Sequence, residues 1–285
     1  MRGKSMLMRE KVVAWDKPVV MGILNVTPDS FYAASRKETE RAVAKRVEEI
    51  LQEGGTIVDL GGYSTRPDAA EVTEEEEVRR LCFALGVIRK HYPEVIVSVD
   101  TFRAAVARRC VEDFDVDMIN DISGGEADAD MFATVAALHV PYILMHMRGT
   151  PKTMQQMTDY ADVTDEVIRY LAARMQSLHL LGVADIIIDP GFGFSKTVEQ
   201  NYELMSRLEE FAIFERPVLV GISRKSMLSR FLQRDTVECL NGTTALNTFA
   251  LLKGADILRV HDVREAVEAV RLTEMLRLSG TPAKP

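Results

Sequence analysis

Cysteine is scarce in this sequence: three residues occur in 285, at Cys82, Cys110 and Cys239. Their number is odd, they are far apart, and none belongs to a C-x-x-C pair. A disulfide framework or a zinc site would need paired or clustered cysteines, so neither is expected here. We expect the three side chains to act as small buried hydrophobic groups.

Long apolar runs and long basic runs are also missing. Charged side chains interrupt residues 1–15, which therefore lack the apolar core of a signal peptide, and no later segment approaches the length of a membrane span. The net charge of −8 argues against nonspecific binding to nucleic acid or to an anionic membrane. These absences predict a cytoplasmic protein with neither nucleic acid nor membrane as a partner.

Apolar side chains are plentiful, at 47% of the residues, which is enough for one large core. Eight short strand-like runs alternate with helical patterns, at a spacing of about 30 residues that suits repeated β/α units. The runs are Val19–Leu24, Thr56–Leu60, Val95–Val99, Met118–Ile119, Tyr142–Met145, Ile186–Ile188, Val218–Gly221 and Ile257–Val260. Eight such units predict a single (β/α)8 TIM barrel.

The division of the chain follows from this pattern. We expect residues 1–17 to form a short strand or arm packed on the lower end of the barrel, 18–280 to form the barrel, and 281–285 to be a frayed tail. A doubly wound open sheet is the structural alternative. That fold would need a glycine-rich dinucleotide loop after its first strand, and the sequence NVTP at 25–28 is not one.

Polar side chains follow each of the eight runs. In a barrel they would gather at the carboxyl ends of the strands, which is where chemistry takes place in this fold. They are Asn25, Asp59, Asp100, Asn120 with Asp121, His146, Asp189, Ser223, and Arg259 with His261. The segment IIIDPGFGFSK at 186–196 is the clearest case, because proline and glycine end a buried strand directly after a carboxylate.

Seven short motifs in this order resemble those of the dihydropteroate synthase family, and the resemblance covers nearly the whole chain. They are MGILNVTPDSF at 21–31, STRP at 64–67, SVDT at 98–101, ND at 120–121, DPGFGF at 189–194, SRKS at 223–226 and RVHD at 259–262. The resemblance implies an eightfold barrel. It also implies a transferase that joins dihydropterin-6-ylmethyl diphosphate to 4-aminobenzoate, releasing pyrophosphate and forming dihydropteroate for folate synthesis.

The site residues implied by the resemblance suit these ligands. Carboxylates and an amide match the N–H donors and ring acceptors of a flat pterin, and two cations complete that pocket. The expected pterin-binding residues are Asp100, Asn120, Asp189, Lys225 and Arg259. Of these, Asp100, Lys225 and Arg259 are expected to be catalytic. No covalent nucleophile is required, because a dihydropterin that loses pyrophosphate leaves a delocalised cation, which makes a dissociative path plausible.

The diphosphate is expected at Asn25, Arg259 and His261, because the first and eighth strands become neighbours when a barrel closes. His261 is expected to titrate near neutral pH. The resemblance implies Mg²⁺ bridging the diphosphate oxygens, with Asn25 as the protein ligand. One oxygen ligand suits an ion that keeps its waters and binds largely through phosphate.

The aminobenzoate is expected between the barrel mouth and two connections, 25–37 and 61–72, which are longer than a β/α loop needs. The expected residues are Thr65, Arg66, Pro67, Phe194, Lys225 and Ser226. Three positions depart from the family pattern: Ala33 stands where an aspartate is usual, Tyr63 where a glutamate is common, and Asp68 where glycine is common. A homodimer is implied by the resemblance alone, since core packing would explain the apolar residues at 245–252 equally well.

Two competing functions remain. A pterin-binding methyltransferase of similar barrel type would share the aspartate and asparagine readers, but LMHMRG at 144–149 has leucine where a corrinoid motif has aspartate. That function also leaves STRP and SRKS without a task. A non-catalytic pterin-binding protein is the second alternative, and the presence of Arg66, Lys225, Arg259 and His261 argues against it.

Overall fold

The computed structural model describes residues 4–8, 11–26, 36–63 and 71–279. Eight parallel strands form one sheet, in which the strands that begin at residues 186, 142, 118, 96, 57, 19, 257 and 219 lie side by side in that order. A parallel bridge between Ile188 and Val218 joins the two outer strands, so the sheet curves into a nearly closed barrel. The strands are β3 (Val19–Asn25), β4 (Ile57–Gly61), β5 (Ile96–Asp100), β6 (Met118–Asp121), β7 (Tyr142–Met145), β8 (Ile186–Asp189), β9 (Leu219–Val220) and β10 (Ile257–Val260). All eight expected runs are strands, and the barrel prediction is confirmed.

The helices surround this sheet and shield its outer face from water. They are α1 (Arg36–Gln52), α2 (Glu74–His91), α3 (Ala104–Phe114), α4 (Met131–Leu138), α5 (Val163–Leu180), α6 (Val198–Ser206), α7 (Ser226–Leu232), α8 (Leu240–Leu252) and α9 (Val263–Ser279). Short 3-10 helices lie at Met154–Gln156, Leu208–Phe214 and Thr236–Glu238. Within the described ranges, none of the helices is long and apolar enough to cross a membrane.

The main core lies between the helices and the barrel strands. It contains alternate residues of each strand, such as Val58 and Leu60 of β4, packed against helix residues such as Val47 and Ile50 of α1. Burying one such side chain stabilises the fold by about 2 kcal/mol. Because β strands alternate sides, the intervening residues point into the barrel, and this leaves Asp59 on the inside of β4.

An antiparallel hairpin of β1 (Lys4–Met8) and β2 (Lys11–Trp15) precedes the barrel. Its Met6 and Met8 are 3% exposed and join a second core cluster with residues at the amino ends of the barrel strands, including Val19, Ile57 and Ile257. The expected N-terminal strand or arm is therefore a two-stranded hairpin that covers the lower end of the barrel. The opposite, carboxyl end is left for ligands.

Candidate active site

The strand register aligns polar residues along the carboxyl edge of the barrel. Asn25 pairs with Gly61, Gly61 with Asp100, and Asp100 with Asn120, across four adjacent strands. Strand β10 pairs with β3, as barrel closure requires, and this brings Arg259 beside the first strand. The convergence at one mouth of residues far apart in sequence therefore follows from the parallel register.

Arg259 joins two carboxylates at the centre of this mouth. Its Nε donates to Asp59 Oδ2 at 2.5 Å, and its Nη2 donates to Asp100 Oδ2 at 2.7 Å. The Asn120 amide donates to both oxygens of Asp59, at 3.2 and 3.3 Å. Asp59 thus fixes the orientation of both a cation and an amide expected to contact the pterin.

Asp59 is a member of this hydrogen-bond network to which the sequence analysis assigned no ligand. It is fully buried, and a buried carboxylate is costly unless it has hydrogen-bonding partners. A signal was present in the sequence, since Asp59 interrupts the apolar strand IVDLG. The partner could not be read from the sequence, because Arg259 lies 200 residues away.

Asp100 has an unusual ionisation equilibrium. Burial raises the pKa of this carboxyl to about 7, with Asp59 adding to the shift and Arg259 opposing it. Asp100 therefore exchanges between its protonated and ionised forms near neutral pH. A ligand N–H that donates to Asp100 would stabilise the ionised form.

Asp189 ends β8 and is held by a tight turn. Its Oδ1 accepts a hydrogen bond of 2.8 Å from the Gly191 amide. Gly191 has a φ of +73°, and a Cβ there would lie 2.0 Å from the His146 carbonyl oxygen, so only glycine fits. Burial raises the pKa of Asp189, while Lys225 is the strongest influence in the other direction.

Lys225 packs directly against this turn. Its Nζ donates to the Phe192 carbonyl oxygen at 2.5 Å and lies 4.6 Å from the centre of the Phe194 ring. Burial lowers the pKa of Lys225 to about 8, although Asp189 opposes the shift. The ammonium, a carboxylate and an aromatic ring thus face one space.

His261 differs from expectation in its ionisation. Burial, followed by the charges of Arg224 and Arg259, lowers the pKa of this imidazole to about 4 rather than leaving it near neutral pH. Ser223 Oγ accepts from the His261 backbone amide at 3.2 Å and lies 3.1 Å from Nδ1, to which it can donate. When Ser223 Oγ donates to Nδ1, the neutral ring carries its proton on Nε2 and can donate from that atom.

Asn25 is exposed at the end of β3, and its Oδ1 lies where a Cβ on Gly61 would approach it to 2.8 Å. Its side chain makes no hydrogen bond to another described residue. Within those residues, no group of three His, Cys, Asp or Glu side chains could hold a metal ion. A single amide oxygen fits Mg²⁺ held mainly by a diphosphate and water, and does not fit a metal enclosed by protein ligands.

The expected aminobenzoate residues are only partly described. Phe194 lies under Lys225 and is half-buried, and Ser226 is exposed at the start of α7. Thr65, Arg66 and Pro67 lie outside the described residues, as do the departures Ala33 and Asp68. Tyr63 is described.

The aromatic ring of Tyr63 contacts residues that follow β5. It meets the Phe102 ring edge-on at a centroid distance of 5.3 Å, and the Arg103 guanidinium carbon lies 5.6 Å from its centroid. At this position the chain replaces the common glutamate with an aromatic platform for a cation.

A barrel mouth that brings together carboxylates, an amide and two cations is suited to bind a small molecule with several hydrogen-bonding groups. A sequence model of the family described as "Pterin binding enzyme" matches residues 21–261. Dihydropteroate synthase from Escherichia coli strain K12 is 42% identical over 259 residues, covering 90% of this chain and 91% of that protein.

Solved structures agree with this assignment. Thermus thermophilus dihydropteroate synthase in complex with 4-aminobenzoate superposes with a TM-score of 0.85 at 36% identity, covering 96% of this chain and 100% of that chain. The Burkholderia cenocepacia enzyme complexed with 7,8-dihydropteroate gives a TM-score of 0.85 at 35% identity, covering 96% and 97%. The chain belongs to the pterin-binding enzyme family and, within it, to the dihydropteroate synthases. Its activity is accordingly that of a transferase.

Proposed function

We propose that this barrel mouth condenses 6-hydroxymethyl-7,8-dihydropterin diphosphate with 4-aminobenzoate by a dissociative, Mg²⁺-assisted displacement. The observation that carries the proposal is the Asp59–Arg259–Asp100 bridge, which joins a carboxylate expected to contact the pterin to the cation expected to contact the diphosphate. The two ligands named for the Thermus and Burkholderia relatives, 4-aminobenzoate and 7,8-dihydropteroate, are the second substrate and the product of this reaction.

The pterin would be bound by hydrogen bonds deep in the mouth. Asp189 and Asp100 accept from its N–H groups, and Asn120 presents its carbonyl oxygen because its amide nitrogen is occupied by Asp59. Lys225 donates to a ring or carbonyl acceptor from beside the Phe194 ring. Buried groups of this kind discriminate strongly, because a ligand lacking one donor would leave a carboxylate unpaired.

Arg259 would connect the ring with the leaving group. Two of its nitrogens are fixed by Asp59 and Asp100, which hold the guanidinium in one plane and leave Nη1 for a phosphate oxygen. The guanidinium is preorganised, so little side-chain freedom is lost when the diphosphate binds. Because the pKa of Asp100 is raised to about 7, its protonation can also respond to charge that develops on the ring.

In the reaction, the bond between the pterin methylene carbon and the diphosphate oxygen breaks first, and its electron pair leaves with pyrophosphate. The dihydropterin ring delocalises the resulting positive charge, and the amine nitrogen of 4-aminobenzoate then forms the C–N bond and loses one proton. The side chains would stabilise both charges, exclude water and orient the amine. Asp100, Lys225 and Arg259 would be the catalytic residues.

The diphosphate end would use Asn25, Arg259 and His261. His261 would donate from Nε2 to a phosphate oxygen, and an adjacent anion would favour its protonated form. Asn25 Oδ1 would be the protein ligand of Mg²⁺, which when bound neutralises charge on the diphosphate oxygens.

The aminobenzoate would lie nearer the solvent. Its ring would pack on Phe194, on the alkyl chain of Lys225 and on Pro67, and its carboxylate would approach Ser226. Thr65 and Arg66 would complete the subsite from the second long connection. This arrangement directs the amine towards the pterin methylene, which the preceding steps leave electron-poor.

We also propose that the protein is a cytoplasmic homodimer. Support for association comes from α8 and α9, which pack together and expose several apolar side chains. Phe249 and Leu252 on α8 are 38% and 56% exposed, and Leu272, Met275 and Leu276 on α9 are 63–67% exposed. Of the apolar residues at 245–252, Ala250 and Leu251 belong to the core. Core packing therefore explains only part of that helix.

The decisive test is release of pyrophosphate by the purified protein. We expect release only when dihydropterin diphosphate, 4-aminobenzoate and Mg²⁺ are all present, with dihydropteroate identified by mass spectrometry. Pterin binding without turnover would instead identify a non-catalytic pterin-binding protein. Methyl transfer to a corrinoid would support the methyltransferase alternative, in whose motif this chain has the fully buried Leu144 where that family has aspartate.

A further inference from the structure

Lys196 is a buried cation that forms no ion pair with a carboxylate of any described residue. It is 4% exposed, and its Nζ lies 2.9 Å from the Gly191 carbonyl oxygen, 3.1 Å from the Phe194 carbonyl oxygen and 3.0 Å from His146 Nδ1. All three partners are neutral groups, and they account for the three N–H donors of an ammonium. A buried charge without an ion pair is costly, so this lysine is expected to have a function besides packing.

The turn after β8 lies between two lysines. The carbonyl groups of Gly191 and Phe194 point to Lys196, whereas the carbonyl group of Phe192, between them, points to Lys225 at 2.5 Å. On the side of β7, the backbone of Gly191 packs directly against the His146 carbonyl. The turn therefore has little room to shift while both lysines are in place.

Lys196 also acts on Asp189 through its charge. Burial raises the pKa of Asp189, and the charges of Lys225, Arg259 and Lys196 all lower it. Burial lowers the pKa of Lys196 itself to about 7, with Lys225 and Arg148 contributing in the same direction and Asp189 opposing. Below neutral pH Lys196 is therefore mainly protonated, and its positive charge favours the ionised form of Asp189.

We propose that Lys196 is a positioning residue of the pterin site. It holds the turn at 189–196 so that the Asp189 carboxylate and the Lys225 ammonium face one ligand, and its charge keeps that carboxylate ionised. The identity of the ligand rests on the proposed function, whereas the role of Lys196 in fixing the turn does not.

The chain offers a matched control in Asn201. This residue is 2% exposed, accepts a hydrogen bond of 2.6 Å from the Gly193 amide and donates one of 2.6 Å to the Thr197 carbonyl oxygen. Asn201 therefore also holds the turn, but it carries no charge. Comparing Lys196→Met with Asn201→Ala separates the mechanical effect from the electrostatic one.

The first measurement is hydrogen exchange on the ligand-free protein. In Lys196→Met we expect the amides at 191–196 to exchange about tenfold faster or more, while those of α5 and α8 keep their wild-type rates. If the turn amides of Lys196→Met exchange at the wild-type rate, the proposal is wrong. This measurement needs no substrate, so it is decisive even if the protein does not bind a pterin.

The second measurement is the affinity for a pterin with pyrophosphate and Mg²⁺ as a function of pH. Both variants should bind the pterin more weakly than wild type. Only Lys196→Met should shift the pH below which affinity is lost, the acid limb of the affinity profile, upwards by about half a unit or more. Identical acid limbs in the two variants would refute the electrostatic role.

If Lys196→Met does not fold, Lys196→Gln, which keeps a donor without the charge, takes its place under the same criteria. Absence of pterin binding in wild type would count against the proposed function alone.

Discussion

At the scale of single residues, the mouth of this barrel shows how burial and charge together set ionisation. Arg259, Lys225 and Lys196 share a small volume with Asp59, Asp100 and Asp189. Burial raises the pKa values of Asp100 and Asp189 and lowers those of Lys225 and Lys196. The pKa values of these acids and bases, which ordinarily lie far apart, are thereby brought closer to neutral pH, as in many active sites.

Replacing Lys225 with alanine should remove activity and largely preserve the fold. The substitution deletes the bond to the Phe192 carbonyl and the contact with the Phe194 ring, and loss of one such donor typically lowers kcat by about a hundredfold or more. We expect kcat/KM to fall by that factor and Tm to fall by about 2–4 °C. The 76%-exposed Lys45 is the control, and Lys45→Ala should retain full activity. Near-normal turnover of Lys225→Ala would contradict the prediction.

His261 should remain neutral in the ligand-free protein at physiological pH. Its pKa of about 4 lies below the ordinary value of 6.5, so between these pH values the unfolded chain takes up a proton that the folded chain does not. The contribution of His261 to stability is therefore fully present above about pH 6.5 and is lost as the pH falls towards 4. NMR titration of the ring should show no inflection above about pH 5.5, with His261→Gln used for assignment.

Pyrophosphate with Mg²⁺ should raise that pKa, because a nearby anion favours the imidazolium form. A ring that titrates near pH 6.5 without ligand would show that the desolvation at this site is small. An unchanged titration on addition of pyrophosphate would place the anion away from His261.

At the scale of elements, the sequence predicted strands better than side-chain partners. All eight apolar runs are strands, because a strand buried on both faces needs a continuous apolar stretch. Thr197 caps α6 with a complete capping box over residues 197–200. The role of Asp59 was missed because its partners lie on β6 and β10, and no local pattern encodes such long-range contacts.

Arg103 links the two sides of the second long connection. Its Nη2 donates to the Val72 carbonyl oxygen at 2.8 Å, its guanidinium lies 5.6 Å from the Tyr63 ring centroid, and it pairs with the fully buried Glu77. The segment 64–70, which carries three expected aminobenzoate residues, lies between Tyr63 and Val72. Arg103 thus contacts described residues on both sides of that segment in the sequence.

Arg103→Lys should therefore weaken aminobenzoate binding. Lysine keeps the positive charge beside Glu77, but it lacks the planar fork that serves Val72 and Tyr63 together. We expect the KM for 4-aminobenzoate to rise about tenfold and the KM for dihydropterin diphosphate to change little. Arg108→Lys, at a 46%-exposed position on α3, is the control. Equal increases in both KM values would indicate general disturbance of the mouth.

At the scale of the whole molecule, the barrel uses its two ends differently. The amino end is covered by the hairpin through Met6 and Met8, while the carboxyl end carries the charged network. Stability and chemistry are thereby placed at opposite ends of one sheet. The outer face of α8 and α9 is a third region, whose apolar side chains neither the core nor the proposed chemistry explains.

Replacing Leu276 with glutamate should dissociate the proposed dimer. Leu276 is 63% exposed on α9, so the substitution costs a monomer little but would bury a charge in an interface. Light scattering after size exclusion should change from dimer to monomer. Leu180→Glu on α5, at an 82%-exposed position, should leave the mass unchanged. A wild-type protein that is monomeric at micromolar concentration would contradict the prediction.

The sequence by itself determined the eight strands, their order along the chain and the polar residue at the end of each strand, because apolar periodicity and turn residues are local properties. Only the tertiary structure decided which of those residues share a hydrogen bond and how each ionises. Closure of the sheet joins Arg259 to Asp59 and Asp100, the turn after β8 buries Lys196, and the pKa shifts follow from that burial and from the neighbouring charges. Burial and charge proximity depend on three-dimensional distance, which the order of residues does not contain.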